Sequence, residues 1–184
     1  LIHESVNSGF IESRVVRIKE NQFMSEHTEK LTTALSGLGV FVFERDYQTK
    51  GFHAKIVVDD AATLPEIARV LYQQSYFMGF VTACHTEPAI QVLYQFARFD
   101  VNHRIMVQAG VNEQNEVPTI SHIFTGADWH ERETHDFFGV TFTGHPNMAP
   151  FILDESDKDL RPLLKSEKKL KSIDDIFVPE VADE

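Results

Sequence analysis

The chain carries one cysteine, Cys84, in 184 residues. That excludes an intrachain disulfide, a CxxC redox pair and an iron–sulfur cluster held by this chain alone. It also fits a reducing compartment. Basic residues are scarce: 17 Lys and Arg stand against 28 Asp and Glu, for a formal net charge of -11 and a pI near 5.2. Without a basic footprint to neutralise phosphates, neither nucleic acid nor anionic lipid is an expected partner. No run approaches the ~18 to 20 apolar residues of a membrane span, and no signal-peptide pattern opens the chain. The expectation is a soluble protein whose membrane link, if any, is indirect. GxSxG, the P-loop and the glycine-rich phosphate cradle are all missing. The chain begins at Leu1 rather than Met, so a short leading piece is expected ahead of it.

The length fits one domain, or one domain plus an extension. Residues 11–19, with Val15, Val16 and Ile18, form a strand candidate. A helix is expected from a Ser25 cap to about Ser36, stopped by Gly37. Gly37 and Gly39 do not make a dinucleotide fingerprint, because Val42 stands where the third glycine belongs and a helix precedes them. Strands are expected over 40–43 and 52–58. Thr63-Leu64-Pro65-Glu66 has the form of a capping box opening a helix to about Gln74. Three strand-like runs follow, over 80–85, 89–99 and 103–109. Asp100-Val101-Asn102 supplies turn chemistry for an antiparallel hairpin between the last two. The expected fold is α+β: a mixed or largely antiparallel sheet with helices packed on one face, followed by an extended C-terminal arm. The division is residues 1–126 as core domain, 127–146 as a signature helix and turn, and 147–184 as the charged arm. Between Asp154 and Glu184 stand ten acidic and six basic residues with sparse apolar anchors. Such a segment buries little surface by itself and suits an arm that orders against another protein.

The densest stretch is Asp128-Trp129-His130-Glu131-Arg132-Glu133-Thr134-His135-Asp136-Phe137-Phe138-Gly139. Asp128 and Glu131 suggest a capping-box start and Gly139 a stop, giving a helix of about three turns. Glu131 with His135 and Arg132 with Asp136 are i,i+4 neighbours, expected to pair. The aromatic load of Trp129, Phe137, Phe138 and nearby Phe142 suggests a helix at a protein contact. His130-Glu131 resembles the start of HExxH, but the second histidine, His135, comes one residue late. Five residues apart, the two rings point about 140° from each other, so the pair cannot share a metal without help. His103, His122, His130, His135 and His145 could still form a site from separate loops, which keeps a free-standing His-based metallohydrolase as the alternative of a different class. Cys84 beside His85 reads as a small buried strand cysteine.

Taken together, Trp129-His130-Glu131-Arg132-Glu133, Asp136-Phe137-Phe138-Gly139-Val140, Phe142 and Gly144-His145-Pro146 resemble the signature of the respiratory-chain NADH dehydrogenase 30 kDa subunit family, found in complex I. Pro118-Thr119-Ile120-Ser121 through Ala127-Asp128 is similar to the family's approach to that signature. The family continues with one or two arginines before an Ile-Leu-like pair, whereas Asn147-Met148-Ala149-Pro150 precedes Phe151-Ile152-Leu153 here. Of the family's closing segment, Leu160-Arg161 is in place within Leu160-Arg161-Pro162-Leu163-Leu164-Lys165. The spacing around Leu153-Asp154-Glu155 is closer to the homologous subunit of membrane-bound nickel–iron hydrogenase and formate hydrogenlyase-like complexes, so both branches stay open.

The resemblance implies a non-catalytic, cofactor-free subunit in the hydrophilic arm of a proton-pumping NADH:quinone oxidoreductase. FMN, iron–sulfur clusters and quinone (nickel–iron in the hydrogenase branch) would belong to the complex, not to this chain. The implied partners are the large quinone-site subunit and the iron–sulfur subunits, on the cytoplasmic side of the inner membrane. No catalytic, cofactor or metal residue is implied. The residues expected at the partner contact are Trp129, Glu131, Arg132, Glu133, Asp136, Phe137, Phe138, Phe142, Gly144, His145, Pro146, Leu160 and Arg161, with the charged ones making charge-assisted hydrogen bonds across it.

Overall fold

A computed structural model describes residues 26–165. The elements run α1 (Glu26–Ala34), β1 (Val40–Glu44), the single-turn α2 (Tyr47–Lys50), β2 (Ala54–Val58), α3 (Leu64–Gln73), β3 (Phe77–Cys84), β4 (Gln91–Ala97), β5 (Arg104–Gly110), β6 (Glu116–Pro118), α4 (Ala127–Phe138) and β7 (Thr141–Thr143). The strand expected over 11–19 and the Ser25 cap lie outside the described residues.

Five strands form one mixed sheet in the order β1-β2-β5-β4-β3. The pairs β1–β2, β4–β5 and β3–β4 are antiparallel, whereas β2–β5 is parallel. The hairpin predicted from Asp100-Val101-Asn102 is the β4–β5 pair, with Ala97 opposite Arg104. Alternation sends Ala54, Ile56, Val92, Tyr94, Phe96, Ile105 and Val107 into one apolar cluster. Leu31 and Leu35 from the α1 end and Leu64, Ile67, Ala68 and Leu71 of α3 join it, as do Ala127 and Phe138 of α4. At about 1.5–3 kcal/mol for each large apolar side chain buried, the four-residue face of α3 alone is a strong reason for that helix to dock. The three longer helices, α1, α3 and α4, thus share one face of the sheet, in agreement with the α+β expectation. Among the described residues, no helix is long and apolar enough to cross a membrane.

Local details depart from the sequence reading. Thr63 does not cap α3: Asp60 accepts from Ala62 N at 2.9 Å, opening a 3-10 turn over Ala61–Thr63. The Thr63 hydroxyl is turned back onto the Asp60 carbonyl at 2.8 Å, out of reach of the helix N-terminus. Strand β3 starts three residues earlier than expected because it continues through a bulge at Gly79. A Cβ there would lie 1.9 Å from Gln95 Oε1, so the glycine lets the Gln95 side chain lie across the bulge, and any larger residue would make that side chain swing away. Strand β5 begins at Arg104, leaving His103 just ahead of it, 2% exposed. The His103 ring shares hydrogen bonds with Tyr76 Oη at 2.6 Å and Thr28 Oγ1 at 3.1 Å, which ties α1 to the start of the central strand β5. Rings of His27 and His53 lie 5.8 and 5.2 Å from it. Burial first, and then these two neighbours, push the His103 pKa down to about 4.

Candidate functional site

Helix α4 begins at Ala127 behind Gly126, with no side-chain cap, so the capping box read into Asp128 and Glu131 does not form. Glu131 is instead turned inward and is 0% exposed. Its Oε1 accepts from Ile120 N at 2.9 Å and its Oε2 from the Thr119 hydroxyl. Because Thr119 spends its one proton on the carboxylate, the Ser121 hydroxyl at 2.8 Å donates to Thr119 in turn. Burial raises the Glu131 pKa to about 7; the Thr119 and Ile120 donors oppose the rise, and Asp128 adds to it. The expected Glu131–His135 pair is therefore absent. A pair worth about 0.3 kcal/mol on a helix surface yields to a carboxylate's need for buried donors.

The second expected pair, Arg132 with Asp136, also does not form; both side chains hold the loop over 149–153. Arg132 donates from Nε to the Ala149 carbonyl and from Nη2 to the Pro150 carbonyl, each at 3.0 Å. Asp136 Oδ2 accepts from the backbone N–H groups of Phe151, Ile152 and Leu153 at 2.9, 2.7 and 3.1 Å. Burial alone would raise its pKa, but the N–H groups of Ile152, Phe151 and Leu153 outweigh this and hold it below the usual carboxylate range. The loop is clasped through its backbone, which leaves its side chains outside. Trp129 is 65% exposed and Ile152 52%. The Phe151 ring lies 5.5 Å from that of Trp129, with the Arg132 guanidinium 5.0 Å from the Phe151 ring centre.

Past the helix, Gly139 takes φ +73° and returns its N–H to the His135 carbonyl at 2.8 Å, the stop predicted for it. A Cβ on Gly139 would stand 3.0 Å from Arg161 Nε. Arg161 crosses there and donates to the carbonyls of His135 and Asp136 at 3.1 and 3.3 Å. Leu163 N donates to the Phe137 carbonyl at 3.1 Å and Lys165 N to His85 Nδ1 at 3.0 Å, so 161–165 runs from the end of α4 to the end of β3. Parallel strands β6 and β7 set Val117 beside Phe142, both buried. The Gly144-His145-Pro146 turn follows. His145 Nδ1 accepts from Asn147 N at 3.1 Å, so Nε2 carries the proton and donates to the Asp128 carbonyl at 3.2 Å. Glu131 Oε2 is 3.8 Å from the same nitrogen.

The sequence-predicted contact residues thus divide. Glu131, Asp136, Phe138 and Phe142 are buried inside the chain, and His145 and Arg161 are engaged with its backbone. Arg132 and Phe137 are half-buried. Trp129, Gly144, Pro146 and Leu160 are exposed, and Glu133 is half-exposed near His130, with 3.9 Å between Oε2 and Nδ1. Thr119 acts as a carboxylate donor and Phe151 and Ile152 as outward apolar groups; the sequence reading gave none of them a role. The apolar run that follows Pro150 is a usable signal for the latter. Among the described residues no group of three His, Cys, Asp or Glu side chains could hold a metal ion. His135 illustrates why: Nδ1 donates to the Val140 carbonyl at 2.9 Å and Nε2 faces Arg161.

Residues 57–172 match the family model described as respiratory-chain NADH dehydrogenase, 30 Kd subunit. The C subunit of NADH-quinone oxidoreductase from Roseiflexus castenholzii is 42% identical over 110 residues, covering 59% of this chain and 63% of the relative. The protein of the same name from Rhodopseudomonas palustris strain TIE-1 is 32% identical over 111 residues, covering 56% of this chain and 54% of the relative. The matched part therefore spans less than two thirds of these relatives. In fold, the chain is similar to a chain of the membrane-bound sulfane sulfur reductase, an archaeal respiratory membrane complex (TM-score 0.65, 22% identity, 87% of this chain and 96% of that one). It is also similar to a trypsin-resistant fragment of Nqo5 (TM-score 0.54, 19% identity, 66% of this chain and 98% of that one). With the family match covering more than half of its length, the chain belongs to the 30 Kd subunit family of respiratory-chain NADH dehydrogenase.

Proposed function

We propose that the chain is a non-catalytic, cofactor-free subunit in the hydrophilic arm of a proton-pumping NADH:quinone oxidoreductase. It docks on the large quinone-site subunit and beside the iron–sulfur subunits, and so supports electron transfer from NADH to quinone. FMN, iron–sulfur clusters and quinone belong to those neighbours, and the chain is peripheral on the cytoplasmic side of the inner membrane, held there through the complex. In this reading residues 1–126 form the core, 127–146 the docking helix and turn, and 147–184 the arm.

The observation that carries the reading is the clasp of Arg132 and Asp136 on the loop over 149–153. Two charged side chains spend their hydrogen bonds inside the chain to hold Trp129, Phe151 and Ile152 outward, a preorganised aromatic and aliphatic anchor of the kind that dominates protein contacts. The charged residues therefore build the contact, and the apolar trio with Glu133, Pro146 and Leu160 makes it. Co-purification of the large subunit with the Trp129→Ala, Ile152→Asp double variant tests this. The expected result is a loss of at least about tenfold, with the variant still folded; undiminished recovery of the complex contradicts the placement.

A second reading, the homologous subunit of a membrane-bound nickel–iron hydrogenase or formate hydrogenlyase-like complex, is favoured by the spacing around Leu153-Asp154-Glu155. Nickel in the purified assembly and oxidation of hydrogen instead of NADH would select it.

A further inference from the structure

The side chains of Glu131 and His145 are fully buried, and Glu131 Oε2 stands 3.8 Å from His145 Nε2, just beyond hydrogen-bond reach. From there a run of hydrogen bonds leads outward. His145 Nδ1 accepts from Asn147 N at 3.1 Å, Asn147 Oδ1 accepts from Ala149 N at 3.1 Å, and the Ala149 carbonyl accepts from Arg132 Nε at 3.0 Å. The run ends on the loop that presents Phe151 and Ile152. Thr119 ties the same places together from the other side. Its hydroxyl meets Glu131, and its N–H donates to the Thr143 carbonyl at 3.0 Å. Its methyl lies 3.5 Å from where a Cβ on Gly144 would stand.

The two charge states of Glu131 need different donors. Protonated on Oε2, the carboxyl is satisfied in place: its proton goes to the Thr119 oxygen, Thr119 donates to Ser121, and Ile120 N donates to Oε1. Ionised, it only accepts, and it holds two donors, Thr119 and Ile120 N, where a carboxylate has room for about four. The other groups facing it are Asp128 of α4, a like charge, Tyr94 of β4 and the His145 Nε2–H. His135, one turn along α4, is spent on the Val140 carbonyl. The Tyr94 hydroxyl is buried with no hydrogen-bond partner among the described residues. His145 Nε2–H needs a movement of about 1 Å to leave the Asp128 carbonyl for the carboxylate, and the charge-assisted bond it gains is roughly twice as strong. Asp128 Oδ1, 3.9 Å from the same nitrogen, is partly exposed, so water competes for it. A second proton on Nδ1 would set two N–H groups against each other at Asn147. Burial, opposed by the Thr119 and Ile120 donors, holds the Glu131 proton up to about pH 7, so both charge states are populated near neutrality.

We propose that Glu131 is a proton switch for the docking loop: when its carboxyl loses the proton to solvent, His145 turns Nε2–H from the Asp128 carbonyl to the carboxylate, and the Asn147–Ala149 run follows. His145 keeps its own proton throughout. The carbonyl that the donor leaves directly precedes Trp129, so both halves of the apolar anchor are reached. The switch belongs to the free chain. Its effect on assembly rests on the docking proposed above, where loss of the proton loosens the anchor.

The test is an NMR titration of the full chain, labelled with nitrogen-15, between about pH 5.5 and about pH 8.5. The His145 Nε2–H and the amides of Asn147 and Ala149 should shift together with one midpoint near pH 7, while Nδ1 keeps the resonance of an unprotonated nitrogen. In Glu131→Gln these shifts should vanish. Affinity for the large subunit should fall at least about fivefold from about pH 6 to about pH 8 in the parent and stay level in the variant. Signals that ignore pH in the parent overturn the proposal, as when the ionised carboxylate takes Tyr94 for its donor; this arm needs no variant to fold. Shifts that persist in Glu131→Gln, or a His145 ring that takes up a second proton in this range, overturn it too. A switch present in the free chain with an affinity that ignores pH would instead contradict the placement of the large subunit on this loop.

Discussion

Arg132 and Asp136 stand one helical turn apart with opposite charge, yet they bond to opposite polar groups of the same loop instead of to each other. Arg132 takes two carbonyls and Asp136 three N–H groups, so the loop over 149–153 has its backbone polarity met from one helix face. An exposed ion pair at that spacing would contribute roughly 0.3–0.5 kcal/mol. Hydrogen bonds to a charged partner contribute about 1.5–3 kcal/mol each, which decides the outcome.

Asp136→Ala should therefore lower the free energy of unfolding by about 3 kcal/mol or more, since three backbone donors lose their acceptor together. Denaturant unfolding measures the loss, and amide exchange at Phe151, Ile152 and Leu153 should accelerate selectively. Unchanged exchange at those three amides would mean that the clasp does not hold the loop.

Glu131 and His103 titrate in the same pH range with opposite effects on stability. The Glu131 pKa is raised to about 7 from an ordinary 4.5, so the folded chain holds its proton more tightly. That contribution is fully present below about pH 4.5 and is lost as pH rises to 7, on the order of 3 kcal/mol. Glu131→Gln should remove this component and leave the chain more stable, relative to the parent, at pH 7 than at pH 4.5. Parallel stability profiles of parent and variant would contradict it.

The His103 pKa is lowered to about 4 from an ordinary 6.5, so the unfolded chain binds the proton first. Its contribution is complete above about pH 6.5 and falls away towards pH 4, again on the order of 3 kcal/mol. In the Glu131→Gln background this acid loss should stand unopposed and steepen. Adding His103→Gln should flatten it again, measured as the free energy of unfolding between pH 4 and 7.

Gly139→Ala should cost about 1–2 kcal/mol from the left-handed backbone alone. The contact of the new Cβ with Arg161 Nε at 3.0 Å adds to that cost by displacing the side chain. Limited proteolysis should then cut the 161–165 stretch faster than in the parent, whereas Gly139→Asn should show less of the backbone cost but a similar gain in cleavage, because it carries the same Cβ.

What the sequence revealed and what it withheld follow the range of the forces. The Gly139 stop, the β4–β5 hairpin and the α3 core face depend on residues within a few positions of one another, and periodicity or turn chemistry exposes them. The roles of Glu131 and Asp136 depend on donors 11 to 17 residues away. Nearest-turn pairing rules consequently matched them to the wrong partners. The parallel β2–β5 register spans α3, β3 and β4 and leaves no local mark at all. The sequence does not show on its face that Phe151 and Ile152 turn outward beside the exposed Trp129, because the clasp that turns them depends on partners 15 to 17 residues away.

The chain has one tryptophan, Trp129, at the centre of the proposed contact, so a 5-fluorotryptophan label gives one fluorine resonance. Adding the large quinone-site subunit should shift that resonance and abolish its solvent-isotope effect as the ring leaves water. The Ile152→Asp variant should weaken the change at least about tenfold. A fluorine signal that stays solvent-exposed in a complex shown by mass to have assembled would contradict the account.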